Sequence, residues 1–153
     1  MLVYRIVKGE KRVHDLSGTG AFKYGGRWNS VGVYMLYTSE NSSLAYLETL
    51  VHTDKYVIPK DLFIITISVN DKAPIYTVTN DQYPINWKTL DNIENKILGD
   101  QIMLKKEFLG FKIKSAINDH GYNYLLNPLF PDFDTLVEDI AIQKLIVDSR
   151  LIR

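Results

Sequence analysis

No cysteine occurs anywhere in the 153 residues. That absence removes a disulfide scaffold, a thiolate metal site and thiol catalysis together, and it fits a reducing compartment. Neither charge is in excess, because 18 Lys and Arg offset 18 Asp and Glu. A general electrostatic grip on nucleic acid or on an anionic membrane therefore has no basis, although a local cationic pocket remains open. No apolar run approaches the ~18 residues of a membrane span. The first residues, Met1 to Lys8, are too broken by charge for a signal peptide. The expectation is a cytoplasmic protein. Only three histidines are present. His14, His52 and His120 are scattered, with no metal-ligand spacing around them, so no metal is expected.

What is present is an ordinary globular balance, 46% hydrophobic and 24% charged. No repeat, low-complexity tract or linker divides the chain, so residues 1–153 read as one domain. Leu2 to Val7 reads as a strand in which Arg5 faces away from its neighbours. Val33 to Thr38 is a second strand, and Asn41 or Ser39 supplies an N-cap for a helix to Thr53. Asp61 to Val69 is near-continuously apolar, which predicts a central strand. Ala73 to Val78 is a further strand. Ile93, Ile97, Ile102 and Met103 support a helix over 91–107, weakened at Gly99. Phe111 to Ile117 and Tyr122 to Asn127 form two strands joined at Asp119-His120-Gly121. A last strand is expected from Gln143 to Ile152. The sum is an α+β domain dominated by strands, with two or three helices.

The stretch from Gly18 to Glu48 holds the candidate chemistry. Residues 8–32 read mostly as loop, and Gly25-Gly26 delivers Arg27 and Trp28 together. A guanidinium fork beside glycines can clamp a phosphate or carboxylate, or can simply stack on an aromatic neighbour. In the following helix the apolar stripe Leu44, Leu47 and Val51 encloses Glu48. A carboxylate turned inward needs a partner or a solvated cleft, and Arg27 is the first candidate to meet it. Tyr37 closes the strand before that helix and, read alone, is first a core or interface tyrosine. Ser115, read alone, is an ordinary strand serine. Gly18-Thr19-Gly20 lacks the third glycine of a dinucleotide fingerprint.

These residues and their order resemble a known family. Tyr4-Arg5, Gly18-x-Gly20-Ala21, Gly25-Gly26-Arg27-Trp28-Asn29-Ser30-x-Gly32, Tyr37-Thr38 and Ser43-Leu44-Ala45-x-Leu47-Glu48 are similar to the RES domain. Leu98-Gly99-Asp100, Ser115-Ala116, Asn123-x-Leu125-Leu126-Asn127-Pro128 and Asp148-x-Arg150-Leu151 extend the likeness across nearly the whole chain. The resemblance implies an ADP-ribosyltransferase-like fold with its helices around a central NAD cleft. It also implies a bacterial toxin that depletes NAD as glycohydrolase or phosphorylase, held in check by a helix-turn-helix (Xre-type) antitoxin. A homo-oligomer within such a toxin–antitoxin complex is compatible with it.

The family's arginine, glutamate and serine fall on Arg27, Glu48 and Ser115, and its tyrosine on Tyr37. Arg5, Trp28 and Asn127 join Arg27, Tyr37 and Ser115 as expected NAD contacts. In that picture Tyr37 stacks on nicotinamide, and Ser115 bonds the carboxamide or the ribose. Two positions depart from the pattern: Phe130 stands where histidine is frequent, and Lys114 where proline commonly precedes the serine. The alternatives are a protein ADP-ribosyltransferase and a non-catalytic partner-binding module.

Overall fold

The strand-rich stretches pair into one seven-stranded sheet in a computed structural model that describes residues 1–152. The strands are β1 (Leu2–Lys8), β2 (Leu36–Ser39), β3 (Leu62–Val69), β4 (Ile75–Thr77), β5 (Gly110–Lys114), β6 (Tyr122–Leu126) and β7 (Val137–Leu145). Their spatial order is β4-β5-β6-β2-β1-β3-β7. All neighbours are antiparallel except β4 and β5. Four helices accompany them: α1 (Thr19–Tyr24), α2 (Ser42–Leu50), α3 (Ile93–Lys105) and the single turn α4 (Phe133–Leu136). The α+β class expected from the sequence holds. No helix among the described residues is long and apolar enough to cross a membrane.

Alternation along the strands sends side chains to two cores. Val3, Val7, Leu36, Ile65, Ile67, Val69 and Leu126 pack with Phe133 and Val137 on one face. Phe111, Ile113 and Leu125 pack with Trp28, Met35 and Met103 on the other. β3 is internal, as its apolar run demands, but it lies second from the edge and pairs with both β1 and β7. The join between β1 and β2 is narrow. Tyr4 opposite Ser39 is its one registered pair, whereas β1 and β3 pair over seven residues. The sheet is thus two half-sheets sharing a seam.

Several boundaries differ from the sequence expectation. Residues 8–32 are not all loop, because α1 occupies Thr19–Tyr24 between two positive-φ glycines, Gly18 and Gly25. The final strand is Val137–Leu145, not Gln143–Ile152; it pairs with β3 and bulges opposite Thr66/Ile67. Beyond it, Ser149–Leu151 form a 3-10 turn. In α3 the inward positions are Asn95, Gly99 and Met103, while Ile93 and Ile97 face outward. Gly99 does not weaken this helix so much as seat it. A Cβ there would lie 1.8 Å from the Trp28 carbonyl oxygen, so α3 rests directly on the loop that carries Arg27.

Candidate functional site

Glu48 reaches the interior by a different face of α2 than the Leu44–Leu47–Val51 stripe suggests. Leu47 and Val51 are 43% and 55% exposed, and the buried positions are Leu44 and Ala45. Glu48 follows those two by four and three residues, so it shares their face. The helix is set by Asn41, whose side chain accepts from the Leu44 amide at 2.8 Å as an N-cap.

Arg27 does not meet Glu48. Among the described residues neither side chain enters an ion pair. Glu48 is instead held by Ser115 and Asn123, whose Oγ and Nδ2 donate to its Oε1 at 2.8 and 2.7 Å. Register explains the meeting. Asn123 on β6 lies opposite Ser39 on β2 and Ile113 on β5, and Ser115 is the residue just past β5. Ser115 is fully buried, and its oxygen also accepts the amides of Ile117 and Asn118 at 3.1 and 3.2 Å. It orients the glutamate and has no surface to offer a ligand. Where the resemblance implies a bond from Ser115 to a carboxamide or ribose, the hydroxyl here donates to Glu48.

Arg27 is engaged by a strap, residues 79–92, that leads from β4 to α3. Its Nη1 donates to the carbonyls of Lys88 and Thr89 at 2.7 and 3.0 Å and, more weakly, to that of Trp87 at 3.5 Å. Trp87 leans on Trp28 and Tyr83, with ring centroids 5.9 and 4.9 Å apart. Lys88 then pairs with Asp119 in the β5–β6 turn. That turn also holds Ser115. The strap thus bridges from Arg27 to the end of the sheet where Glu48 sits. Lys114, in the position where the family commonly has proline, donates its amide to the Tyr83 hydroxyl at 2.7 Å. A proline could not make that bond.

Tyr37 is fixed from both sides. Its hydroxyl donates to Asn29 Oδ1 at 2.7 Å and accepts the Trp28 amide at 3.1 Å. Burial pushes its pKa up, with Asp100 adding to the rise, while the Trp28 amide and the nearby Arg27 oppose it. A Cβ on Gly26 would fall 2.4 Å from that hydroxyl, so only glycine lets the backbone pass. Tyr37 and Ser39 lie on one face of β2. Arg27, beside Tyr37, and Glu48, held through the Ser39–Asn123 pair, are accordingly two ends of one strip of that face.

The remaining expected contacts are engaged within the fold. Trp28 is 2% exposed and packs against Phe111, Tyr83 and Trp87, so its ring is part of the core. Asn127 is also buried, donating to the Met103 carbonyl at 2.9 Å and accepting the Leu129 amide at 3.0 Å. It brackets the end of α3 against the turn after β6. Arg5 shares the face of Val3 and Val7, opposite to Tyr4 and Ser39. It donates to the Asp15 carbonyl at 2.9 Å. Burial first, then the neighbouring Arg12, lowers its pKa from the usual arginine value. Ser39, Asn123 and Asn29 are polar residues to which the sequence reading gave no role in the site. Strand alternation at Tyr122-Asn123-Tyr124 was the signal available for Asn123, since it sets that side chain apart from both tyrosines.

The family model described as "RES domain" matches residues 2–148. A protein named "Toxin Res" from Photorhabdus laumondii is 29% identical over 154 residues, covering 100% of this chain and 98% of its own. Another "Toxin Res", from Yersinia enterocolitica, is 30% identical over 99% of both chains. A "Prs ADP-ribosylating toxin" from a Sphingobium species is 32% identical, covering 91% of this chain and 88% of its own. Among solved structures, a chain of the M. tuberculosis MbcT-MbcA toxin-antitoxin complex superposes with a TM-score of 0.69 at 16% identity, covering 94% of this chain and 83% of that one. That likeness concerns the fold. With the motifs, the fold and the family match spanning the same residues, the chain belongs to the RES domain family.

Proposed function

We propose that this protein is the toxin of a toxin–antitoxin pair and acts in the cytoplasm by consuming NAD, breaking the bond between nicotinamide and ribose. The observation that carries the reading is Glu48. A carboxylate on the Leu44–Ala45 face of α2 is held by two donors on one oxygen. Held this way and paired with no cation among the described residues, its negative charge is available to a positive charge that develops beside it. When the C–N bond of NAD breaks, its electron pair leaves with nicotinamide, which becomes neutral, and the ribose becomes oxocarbenium-like. Glycosidases stabilise the same kind of ion with carboxylates. Glu48 serves here by holding a ribose hydroxyl and opposing that charge. Arg27 takes the pyrophosphate once the strap carbonyls release it, and Tyr37, bonded to Asn29 and Trp28, fixes the loop that carries Arg27.

The acceptor completes the balance. Water adds its oxygen to the ribose carbon and loses a proton, giving a glycohydrolase; inorganic phosphate in its place gives a phosphorylase. A second reading, transfer to a protein side chain, is favoured by the printed name of the Sphingobium relative, an ADP-ribosylating toxin. The partner proposed is a small antitoxin, of the helix-turn-helix type that the resemblance implies, as the toxin–antitoxin complex among the structural neighbours suggests by analogy.

The test is incubation of the purified, antitoxin-free protein with NAD, with and without phosphate, followed by product analysis. Free nicotinamide with ADP-ribose marks hydrolysis, a phosphorylated ribosyl product marks phosphorolysis, and a labelled protein band marks transfer. Glu48→Gln is expected to stay folded by thermal melt and to lose NAD consumption by about a hundredfold or more. Intact NAD after long incubation with the unaltered protein overturns the reading.

A further inference from the structure

Resting on the reading that Glu48 faces the ribose, we propose that Ser39 and Asn123 are positioning residues that decide which oxygen of Glu48 is presented to the substrate. Four polar side chains from separate elements meet here: Ser39 at the end of β2, Asn123 on β6, Ser115 just past β5 and Glu48 on α2. Hydrogen-bond chemistry fixes the direction of every bond among them. A carboxylate only accepts, so the amide of Asn123 must turn its nitrogen to Glu48. Its oxygen is then left for Ser39, whose hydroxyl must donate, at 2.8 Å. Ser115 has its lone pairs filled by the amides of Ile117 and Asn118, so its single proton goes to Glu48 as well.

Both donors land on Oε1. Among the described residues nothing donates to Oε2, yet Oε2 is not among the buried unpartnered atoms. One oxygen is therefore clamped, while among the described residues the other takes no donor. That asymmetry presents a single carboxylate oxygen at a defined angle, which suits one ribose hydroxyl rather than a diffuse cation. Ser39 sits where it can enforce this. It is 4% exposed, is directly opposite Asn123 in register, and forms the one registered pair across the seam with Tyr4. If the Ser39 hydroxyl is removed, the Asn123 oxygen loses its donor and the amide loses one of the two side-chain bonds that hold it against Glu48. If Asn123 presents an acceptor instead, Oε1 is repelled and the carboxylate turns.

The experiment compares the unaltered protein with Asn123→Asp, Ser39→Ala and Ser39→Thr. It reads kcat, KM and the pH profile for NAD consumption, with a thermal melt for each variant. Asn123→Asp is nearly isosteric, and is expected to lower kcat about a hundredfold with KM changed less than about threefold. Its activity should partly return toward acid pH, where two facing carboxyls share a proton and a donor is restored. Ser39→Ala is expected to lose about tenfold in kcat, and Ser39→Thr, which keeps the hydroxyl, to recover most of that loss.

A second readout needs no turnover. The Asn123 side-chain amide, followed by nitrogen-edited NMR, is expected to show one slowly exchanging, strongly deshielded proton that Ser39→Ala abolishes. Unaltered kcat and pH profile in Asn123→Asp, with NAD consumption intact in the unaltered protein, overturn the relay and leave the proposed function standing. If the unaltered protein consumes no NAD, the function falls and the amide proton decides the relay: its absence, or its indifference to Ser39→Ala, overturns it.

Discussion

Tyr37 shows how a ring packed against the core can be fixed further by polar bonds at its tip. Its hydroxyl is both donor and acceptor, to Asn29 and from Trp28, and Asn29 is itself fully buried. Tyr37→Phe keeps the ring and removes both bonds, leaving a buried carbonyl oxygen on Asn29 and the Trp28 amide without this partner. The expected cost is about 1–3 kcal/mol, read as a fall in Tm of about 2–12 °C for a chain of this size. The same hydroxyl predicts an alkaline limit. Its folded pKa is raised by burial, so in the unfolded chain it loses its proton first, near pH 10. The unfolded state then binds fewer protons than the folded one, and stability falls as pH rises beyond that point. Urea titrations from pH 8 to 11 check the sign. The unaltered protein is expected to weaken above about pH 10 more steeply than Tyr37→Phe, and equal slopes refute the assignment.

Among the elements, α3 is the one whose placement decides the site, because its Gly99 lies against the carbonyl of Trp28. Gly99→Ala would gain about 1 kcal/mol in helix propensity. It would also force a backbone oxygen now 1.8 Å from the new Cβ to move by more than an ångström, and overpacking of that kind typically costs about 1–3 kcal/mol. Clash outweighs propensity, so the variant is expected to melt lower and to bind NAD more weakly, since Arg27 moves with Trp28. A higher melting point would show that α3 is seated by something else. The helix itself was legible from Ile93, Ile97, Ile102 and Met103, but its orientation was not. Ile93 and Ile97 turned outward because the inward face had to admit a backbone, which hydrophobic spacing does not record. In the same way α2 was legible at its Asn41 cap, whereas its stripe was misassigned: Leu47 and Val51 are exposed, and Ala45, a small residue with little weight in any pattern, faces in beside Leu44. The inward direction of Glu48 survived that error because Leu44 lies one turn before it. Its partner was not legible, since Asn123 and Ser115 reach it only through the register of β2, β5 and β6.

At the scale of the whole molecule the governing feature is the seam between β1 and β2, where two half-sheets share the single registered pair Tyr4–Ser39. α2 follows β2 directly and packs against β1 as well as β2, so Glu48 is carried by an element that rests on both halves. The strap ties α3 and the β5–β6 turn together on one side only, through Arg27 and the Lys88–Asp119 pair. A dinucleotide held between Arg27 and Glu48 would join a group anchored in the β4-β5-β6-β2 half to a helix that also loads the β1-β3-β7 half. Binding is then expected to stabilise the molecule as one unit. With Glu48→Gln used to prevent turnover and NAD at about a hundred times its Kd, the gain is about 2.7 kcal/mol. Amide exchange is expected to slow in β3, paired to β1, as well as in β5 and β6. Protection confined to β5 and β6, or a melt that splits into two steps when NAD is added, would place the ligand on one half-sheet alone and remove Glu48 from contact with it.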